Sequence, residues 1–300
     1  MKKQDLLWKG IIRELFPWFV QYFFENWQEE IDLSRGFEFL DKELEQILPD
    51  SNAKGRRADV LVKVFSPAGK EFWFLVHVEV QGYHDEDFAL RMYTIQYRLF
   101  DRYQKPVAAL AIFTDSQPDF HPQDFGYQCL TTRLHYQFGT YKLLDHPPGT
   151  EISKKENPFS LVMEAAWHGM NRGKLNDEEV MEIKVSLFRK LMESGFPKET
   201  IRGIFSFIKY YMSFDKKEFY HKFDEIIEPM KNSANMTLRE MIIEDARQEG
   251  LEQGEDIGLL KSVTVQKMLK EGKSPEEIAN QLKIKKSTIL KMKKMLEDMN

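Results

Sequence analysis

The sequence predicts an α/β (α+β) protein in which a central mixed sheet is flanked by helices and followed by an all-α C-terminal region. Three observations predict it. Two runs rich in β-branched and aromatic residues, 59–65 and 72–81, are joined by turn chemistry. A continuous apolar run, 107–113, follows a helical stretch. Residues 158–296 show helical spacing and no convincing strand.

Taken in chain order, residues 5–27 read as a helix, because Leu7, Ile11, Leu15, Phe19 and Phe23 recur at helical spacing, with Pro17 expected to bend or split it. The segment 36–45 is mixed, and Pro49 to Gly55 is a loop signal. Asp59 to Phe65 and Phe72 to Gln81, separated by Ser66-Pro67-Ala68-Gly69-Lys70, read as an antiparallel hairpin. Residues 85–103 return to helical period through Phe88, Met92, Ile95 and Leu99, and Pro106 ends the pattern. Val107 to Phe113 suits a strand covered on both faces. Residues 127–134 and 140–144 are further strand candidates, and His146-Pro147-Pro148-Gly149 reads as a boundary. Helices follow over 159–170, 177–193, 198–212, 216–227 and 237–271. Near the end, Ser274 as N-cap, Pro275 at N1 and Glu277 at N3 make a capping box. The expected domains are 1–146, 156–232 and a helical tail over 236–300.

Composition narrows the function classes. The chain has 300 residues, 42% hydrophobic and 30% charged, with 23 phenylalanines to carry aromatic packing. No apolar run approaches a membrane span, and the start does not read as a signal peptide, so no membrane association and a cytoplasmic location are expected. A single cysteine, Cys129, rules out an internal disulfide and a multi-cysteine zinc site. The net charge of −5 neither suggests a general polyanion binder nor excludes one, because a local basic patch matters more than the sum.

The chemistry-bearing pattern lies in the hairpin. With a period of two, His77, Glu79 and Gln81 share one strand face and Val76, Val78 and Val80 the other. A carboxylate within an apolar block needs a partner, a metal or solvent. Hairpin geometry brings Asp59, at the start of one strand, near 79–81 at the end of the other. Two converging carboxylates make a hard-oxygen site suited to Mg²⁺ (or Mn²⁺). Such an ion polarises a phosphoryl oxygen and activates bound water.

The stretches Arg57-Ala58-Asp59-Val60-Leu61-Val62-Lys63, Val76-His77-Val78-Glu79-Val80-Gln81 and Phe88-Ala89-Leu90-Arg91-Met92-Tyr93 resemble the Rpn family of recombination-promoting nucleases, related to transposases and built on the PD-(D/E)XK fold. Asp5-Leu6-Leu7-Trp8-Lys9, Phe39 to Leu44 and Asn157-Pro158-Phe159 fit the same family. The resemblance implies a restriction-endonuclease-like αββαβ core and a metal-dependent DNA endonuclease. Asp59 and Glu79 match the motif acids, and Gln81 falls where most of the superfamily has lysine. Gln81 offers only neutral hydrogen bonds where lysine offers charge. Lys63, on the strand face of Asp59, is a candidate substitute, and the Val80 carbonyl a further metal ligand. Glu14 is either a third acidic ligand or an ordinary surface glutamate. Arg91 either contacts phosphate or pairs with Asp85, Glu86 or Asp87. Lys285, Lys286 and Lys291 sit in a segment with helix-turn-helix spacing, whose basic face either contacts DNA or is simply solvated. The C-terminal helices are a candidate homo-oligomer contact. Two rival readings stand beside the nuclease: a DNA- or partner-binding module without catalysis, and a helical assembly protein.

Overall fold

The computed structural model describes residues 3–24, 26–47, 60–79, 86–150, 156–233 and 274–282, with some side chains inside these ranges left undescribed. It divides into two compact units, Met1–Leu238 and Arg239–Asn300. The first opens with α1 (Lys3–Glu14) and α2 (Phe16–Phe23), where the sequence alone suggests one helix. Pro17 lies in the first turn of α2, where its missing N–H is harmless, and the helix breaks at Leu15. After the short α3 (Trp27–Glu30) come β1 (Glu38–Phe39), α4 (Asp41–Ile47), β2 (Val60–Phe65) and β3 (Glu71–Glu79). Then α5 (Phe88–Tyr103) leads into β4 (Val107–Phe113), β5 (Asp124–Cys129), β6 (Thr132–Gln137) and β7 (Gly139–Lys142).

The main sheet has five strands in the order β1-β2-β3-β4-β7. β2 and β3 form the expected antiparallel hairpin, with Gly69 at φ 78° in its turn. α5 is the crossover that lets β4 run parallel to β3, and β7 continues the parallel run beyond β4. The sheet is covered on both faces. Leu61, Trp73, Leu75, Ala111 and Phe113 form one core with Phe88, Met92, Ile95 and Leu99 of α5. On the other face Phe74 meets Phe19 and Phe24, with ring centroids 6.3 and 5.3 Å apart. Burying a side chain of this size is worth about 1.5–3 kcal/mol relative to leaving it exposed, so the phenylalanine-rich composition is spent in the packing of α2 on the sheet.

One strand expectation is corrected. Residues 127–134 are not a single strand but straddle the turn of a separate two-stranded ribbon, β5–β6, in which Cys129 pairs with Thr132. The turn runs through Leu130, which adopts φ 51° and is 91% exposed. The left-handed conformation usually announces itself through Gly, Asn or Asp, and none is present there.

The helices α6 (Phe159–Met170), α7 (Asp177–Glu193), α8 (Lys198–Tyr211) and α9 (Glu218–Ser233) pack in the same unit as the sheet. The break expected after residue 146 therefore does not separate two units. Trp8 on α1 donates to the Tyr211 hydroxyl on α8 at 3.2 Å, and Asn157 donates to the Trp18 carbonyl at 2.9 Å, tying the helices to the N-terminal segment. α7 starts on an Asn176–Glu179 capping box. Its buried Asp177 accepts from the Asp215 and Lys216 amides at 2.9 and 3.0 Å and from Arg172 at 2.7 Å. Lys184 is fully buried, its Nζ donating to the Lys209 and Met212 carbonyls at 2.6 and 3.0 Å, with the rings of Phe214 and Phe223 4.2 and 5.0 Å away. A cation there satisfies carbonyls that α8 leaves open at its C-terminus. In the second unit α10 (Pro275–Leu282) begins with the expected capping box, Glu277 accepting from the Ser274 amide at 2.9 Å. Among the described residues no helix is long and apolar enough to cross a membrane.

Candidate active site at the carboxyl ends of the parallel strands

Glu79 ends β3 and pairs with Phe113 at the end of β4, which pairs with Lys142 at the end of β7. Three parallel strands thus finish in register. The carboxyl edge of such a sheet is where open α/β folds bind ligands, because the chain leaves the sheet there and exposes polar backbone.

Beyond this edge polar side chains are buried together. Thr114 and Asp115 follow β4 directly and are 3% exposed, and Lys142 is 1% exposed. The Lys142 ammonium donates to Asp115 Oδ1 at 2.7 Å and to the Phe120 carbonyl at 3.1 Å, while the Gln117 amide reaches the same oxygen at 2.9 Å. Asp115 Oδ2 has no hydrogen-bond partner among the described residues. Asp5, in the first turn of α1, is 2% exposed. Its carboxylate lies close enough to the buried Tyr211 hydroxyl to add to the upward push that burial gives it, against hydrogen bonds from Trp8 and Thr114. Gln4, Thr114, Asp115, Ser116 and Tyr211 contribute to the lining of a pocket of about 150 Å³. His121 shares a 2.8 Å hydrogen bond with Thr140, and burial holds its imidazole below the usual range. Lys142 adds to that lowering, and Asp145 and Asp115 oppose it.

The residues singled out from sequence fall in different places. Asp59, Val80, Gln81, Lys285, Lys286 and Lys291 lie outside the described residues. Of Glu79 the strand position is described but not the side chain.

Lys63 and Glu14 take these places in the structure. Lys63 pairs across the hairpin with Trp73, six residues before Glu79 in β3, and forms an ion pair with Glu38 of β1. At about 3.3 Å per residue it stands roughly 20 Å along the strand from Glu79, too far to replace a lysine at position 81. Glu14 is the exposed last residue of α1, its carboxyl group set against Gly203 of α8. That is nine residues, or about 13 Å of helix, from Asp5. The acid that α1 brings to Thr114 and Tyr211 is Asp5. Arg91 is half-buried on α5, its guanidinium carbon 5.0 Å from the centre of the Phe88 ring.

The sequence alone does not mark Asp5, Asp115, Lys142 and Tyr211 as members of a buried polar cluster. The pairing of Asp115 with Lys142 spans 27 residues, and no local spacing reveals it. A weak signal did exist, namely an aspartate two residues beyond a run of buried strand. Among the described residues no three His, Cys, Asp or Glu side chains gather closely enough to hold a metal ion. Comparison of the chain with protein-family models, curated proteins and solved structures found no match.

Proposed function

We propose that this chain is a metal-dependent DNA endonuclease of the PD-(D/E)XK type, linked to recombination or transposition, with Asp59 and Glu79 as its metal-holding carboxylates. The observation that carries the reading is the register of the hairpin. β2 begins at Val60, the residue after Asp59, and Val60 pairs with Val76, three residues before Glu79. By chain continuity Asp59 would fall at the same end of the hairpin as Glu79. The order of strands and helix around them, antiparallel β2–β3, then α5, then parallel β4, is the αββαβ order that the resemblance implies.

The side chains described at this end of the sheet are of the hard-oxygen kind that Mg²⁺ or Mn²⁺ prefers, although among the described residues no three of His, Cys, Asp or Glu gather to hold an ion. Asp5, Thr114, Asp115 and Tyr211 offer oxygen and no soft sulfur ligand. Asp59, Glu79 and the Val80 carbonyl would hold the ion, which when bound supplies Lewis-acid polarisation of a phosphoryl oxygen and a more acidic water. Gln81 would orient water by neutral hydrogen bonds. The buried Asp115–Lys142 pair anchors the ends of β4 and β7 beside this edge, and the packed aromatic surroundings keep it rigid.

The test is Mg²⁺-dependent nicking of supercoiled plasmid. The wild-type chain nicks, and Asp59→Ala and Glu79→Ala do not, while their circular dichroism stays that of the wild type. Undiminished cleavage by Asp59→Ala removes the proposal. The neutral Gln81 favours one second reading, a DNA-binding module without catalysis. Salt-sensitive DNA binding without Mg²⁺ or Mn²⁺ uptake in calorimetry would establish that instead. Neutralising Lys285, Lys286 and Lys291 together should flatten the salt dependence of DNA binding if the tail contacts phosphates.

A further inference from the structure

The β5–β6 ribbon is an arm rooted beside the carboxyl edge. At its base the Phe138 amide donates to the Gln123 carbonyl at 3.1 Å. Phe138 packs on Phe88 and Phe88 on Phe113, with ring centroids 6.1 and 5.0 Å apart. Phe113 is the residue in register with Glu79. From this base run two strands of six residues each, long enough to reach about 20 Å. They pair with each other and, among the described residues, with no further strand. The lower part of the arm leans on α5, where Phe125 stacks on Tyr93 at 5.3 Å and 21°. The tip is bare, with Leu130 91% exposed.

Leu130 carries two costs at once. Its apolar side chain stands in water, and its backbone holds a left-handed φ of 51°, which is strained for leucine. Asn or Gly at this position would avoid both. Strain kept at an exposed tip, with no packing to offset it, points to a use outside the folded chain. We propose that this use is DNA contact, the arm lying in a groove of the duplex and Leu130 wedging between two base steps. The inference rests on the reading of DNA as the substrate. Charge is the first argument for that occupant. Asp and Glu make up 48 of the 300 residues, yet none occurs between Asp124 and Asp145, so the arm beyond its root meets phosphates without repulsion in a chain of net charge −5. The acid at the root, Asp124, faces His135 at 3.6 Å. Near the tip the exposed Arg133 sits across from Gln128 and donates to it at 3.1 Å, and Thr131 and Thr132 are exposed beside it. These are groups that bond phosphate oxygens. Shape is the second argument. A two-stranded ribbon fits a DNA groove, and an apolar side chain inserted at a base step unstacks it and kinks the duplex. The third argument is against a lipid surface. A whole acyl chain holds a membrane only marginally, and one leucine buries far less.

The test on the full chain is energy transfer across a short duplex labelled at both ends, without Mg²⁺, beside plasmid nicking with it. The wild type should bend the duplex. Leu130→Asn tolerates the left-handed turn and deletes the wedge, so it should abolish the bend and weaken binding at least about tenfold, with an unchanged circular dichroism spectrum. Leu130→Met keeps an apolar wedge and should keep the bend. Arg133→Gln should lower the slope of log K against log salt by about one. Bending and affinity untouched by Leu130→Asn overturn the proposal, and nicking by the same chain would leave the nuclease reading standing. Bending through Leu130 by a chain that does not nick supports the arm and removes the nuclease reading. A chain that binds no DNA overturns both. Binding of the wild type to lipid vesicles, lost in Leu130→Asn and without any bending of DNA, gives the tip to a lipid surface and overturns the proposal as well.

Discussion

Lys142→Met is the most informative single change to the buried polar cluster. The ammonium is 1% exposed and its Asp115 partner's side chain is 0% exposed, so solvent cannot replace what is lost. Methionine keeps most of the volume and polarisable contact of the stem while deleting the charge. In its absence, among the described residues, Asp115 Oδ1 retains the Gln117 amide alone, Oδ2 gains no partner, and the Phe120 carbonyl loses the Lys142 donor. Breaking a buried pair from one side costs about 3–5 kcal/mol, because a charge stays behind without its counter-charge. For a unit of this size that lowers Tm by roughly 6–20 °C. Urea unfolding followed by tryptophan fluorescence, with thermal melts in parallel, gives both figures. The double variant Asp115→Asn/Lys142→Met removes the stranded charge and should be more stable than Lys142→Met alone. A loss below about 1 kcal/mol, as for a solvated ion pair, or a double variant no better than the single one, would refute the reasoning.

Further predictions concern other parts of the unit. Gly169→Ala and Gly203→Ala make a matched pair, since an added Cβ would lie 2.5 Å from Tyr211 Cε1 in the first and 2.5 Å from Glu14 Cδ in the second. The buried Tyr211 ring cannot retreat, so Gly169→Ala should destabilise by about 1–3 kcal/mol. The Glu14 atoms in the way are the far end of a flexible, exposed side chain, so Gly203→Ala should cost less than Gly169→Ala by urea unfolding. Burial alone would raise the Asp177 carboxyl, but the Asp215 and Lys216 amides and Arg172 outweigh it and hold the group below its usual value. Its folded pKa being depressed, the stability it contributes is present above the ordinary carboxylate value of about 3.9 and is lost as pH falls through the folded value. Urea midpoints measured down that range should fall less steeply for Asp177→Asn than for the wild type. Lys63→Ala should leave plasmid nicking unchanged, because the lysine serves the Glu38 ion pair; loss of nicking would return it to the active site.

The sheet was legible in the sequence where local pattern decides structure. The Ser66–Lys70 turn and the apolar run at 107–113 place β2, β3 and β4, and Phe88, Met92, Ile95 and Leu99 place α5. Pro17 foretold a disturbance and the structure makes it a break. β1 was not foreseen, because its two residues form a strand only by pairing with Val62 and Lys63. The polar edge escaped for a different reason. A lysine in an alternating segment reads as solvent-facing, and only the tertiary fold shows Lys142 to be buried against Asp115. Similarly, the spacing of α1 does not tell which of its acids, Asp5 or Glu14, approaches the carboxyl edge. That depends on the end of the helix that meets β4.

Lys184 gives the helical half of the molecule a built-in reporter. Because its amine is enclosed by two carbonyls and a set of rings, an acylating or methylating reagent can reach it only when α7, α8 and the segment around Phe214 come apart. Surface lysines such as Lys217 and Lys222 react at once and set the reference rate. The lag between them and Lys184, read by peptide mass spectrometry, times the opening of this region under native conditions, without denaturant.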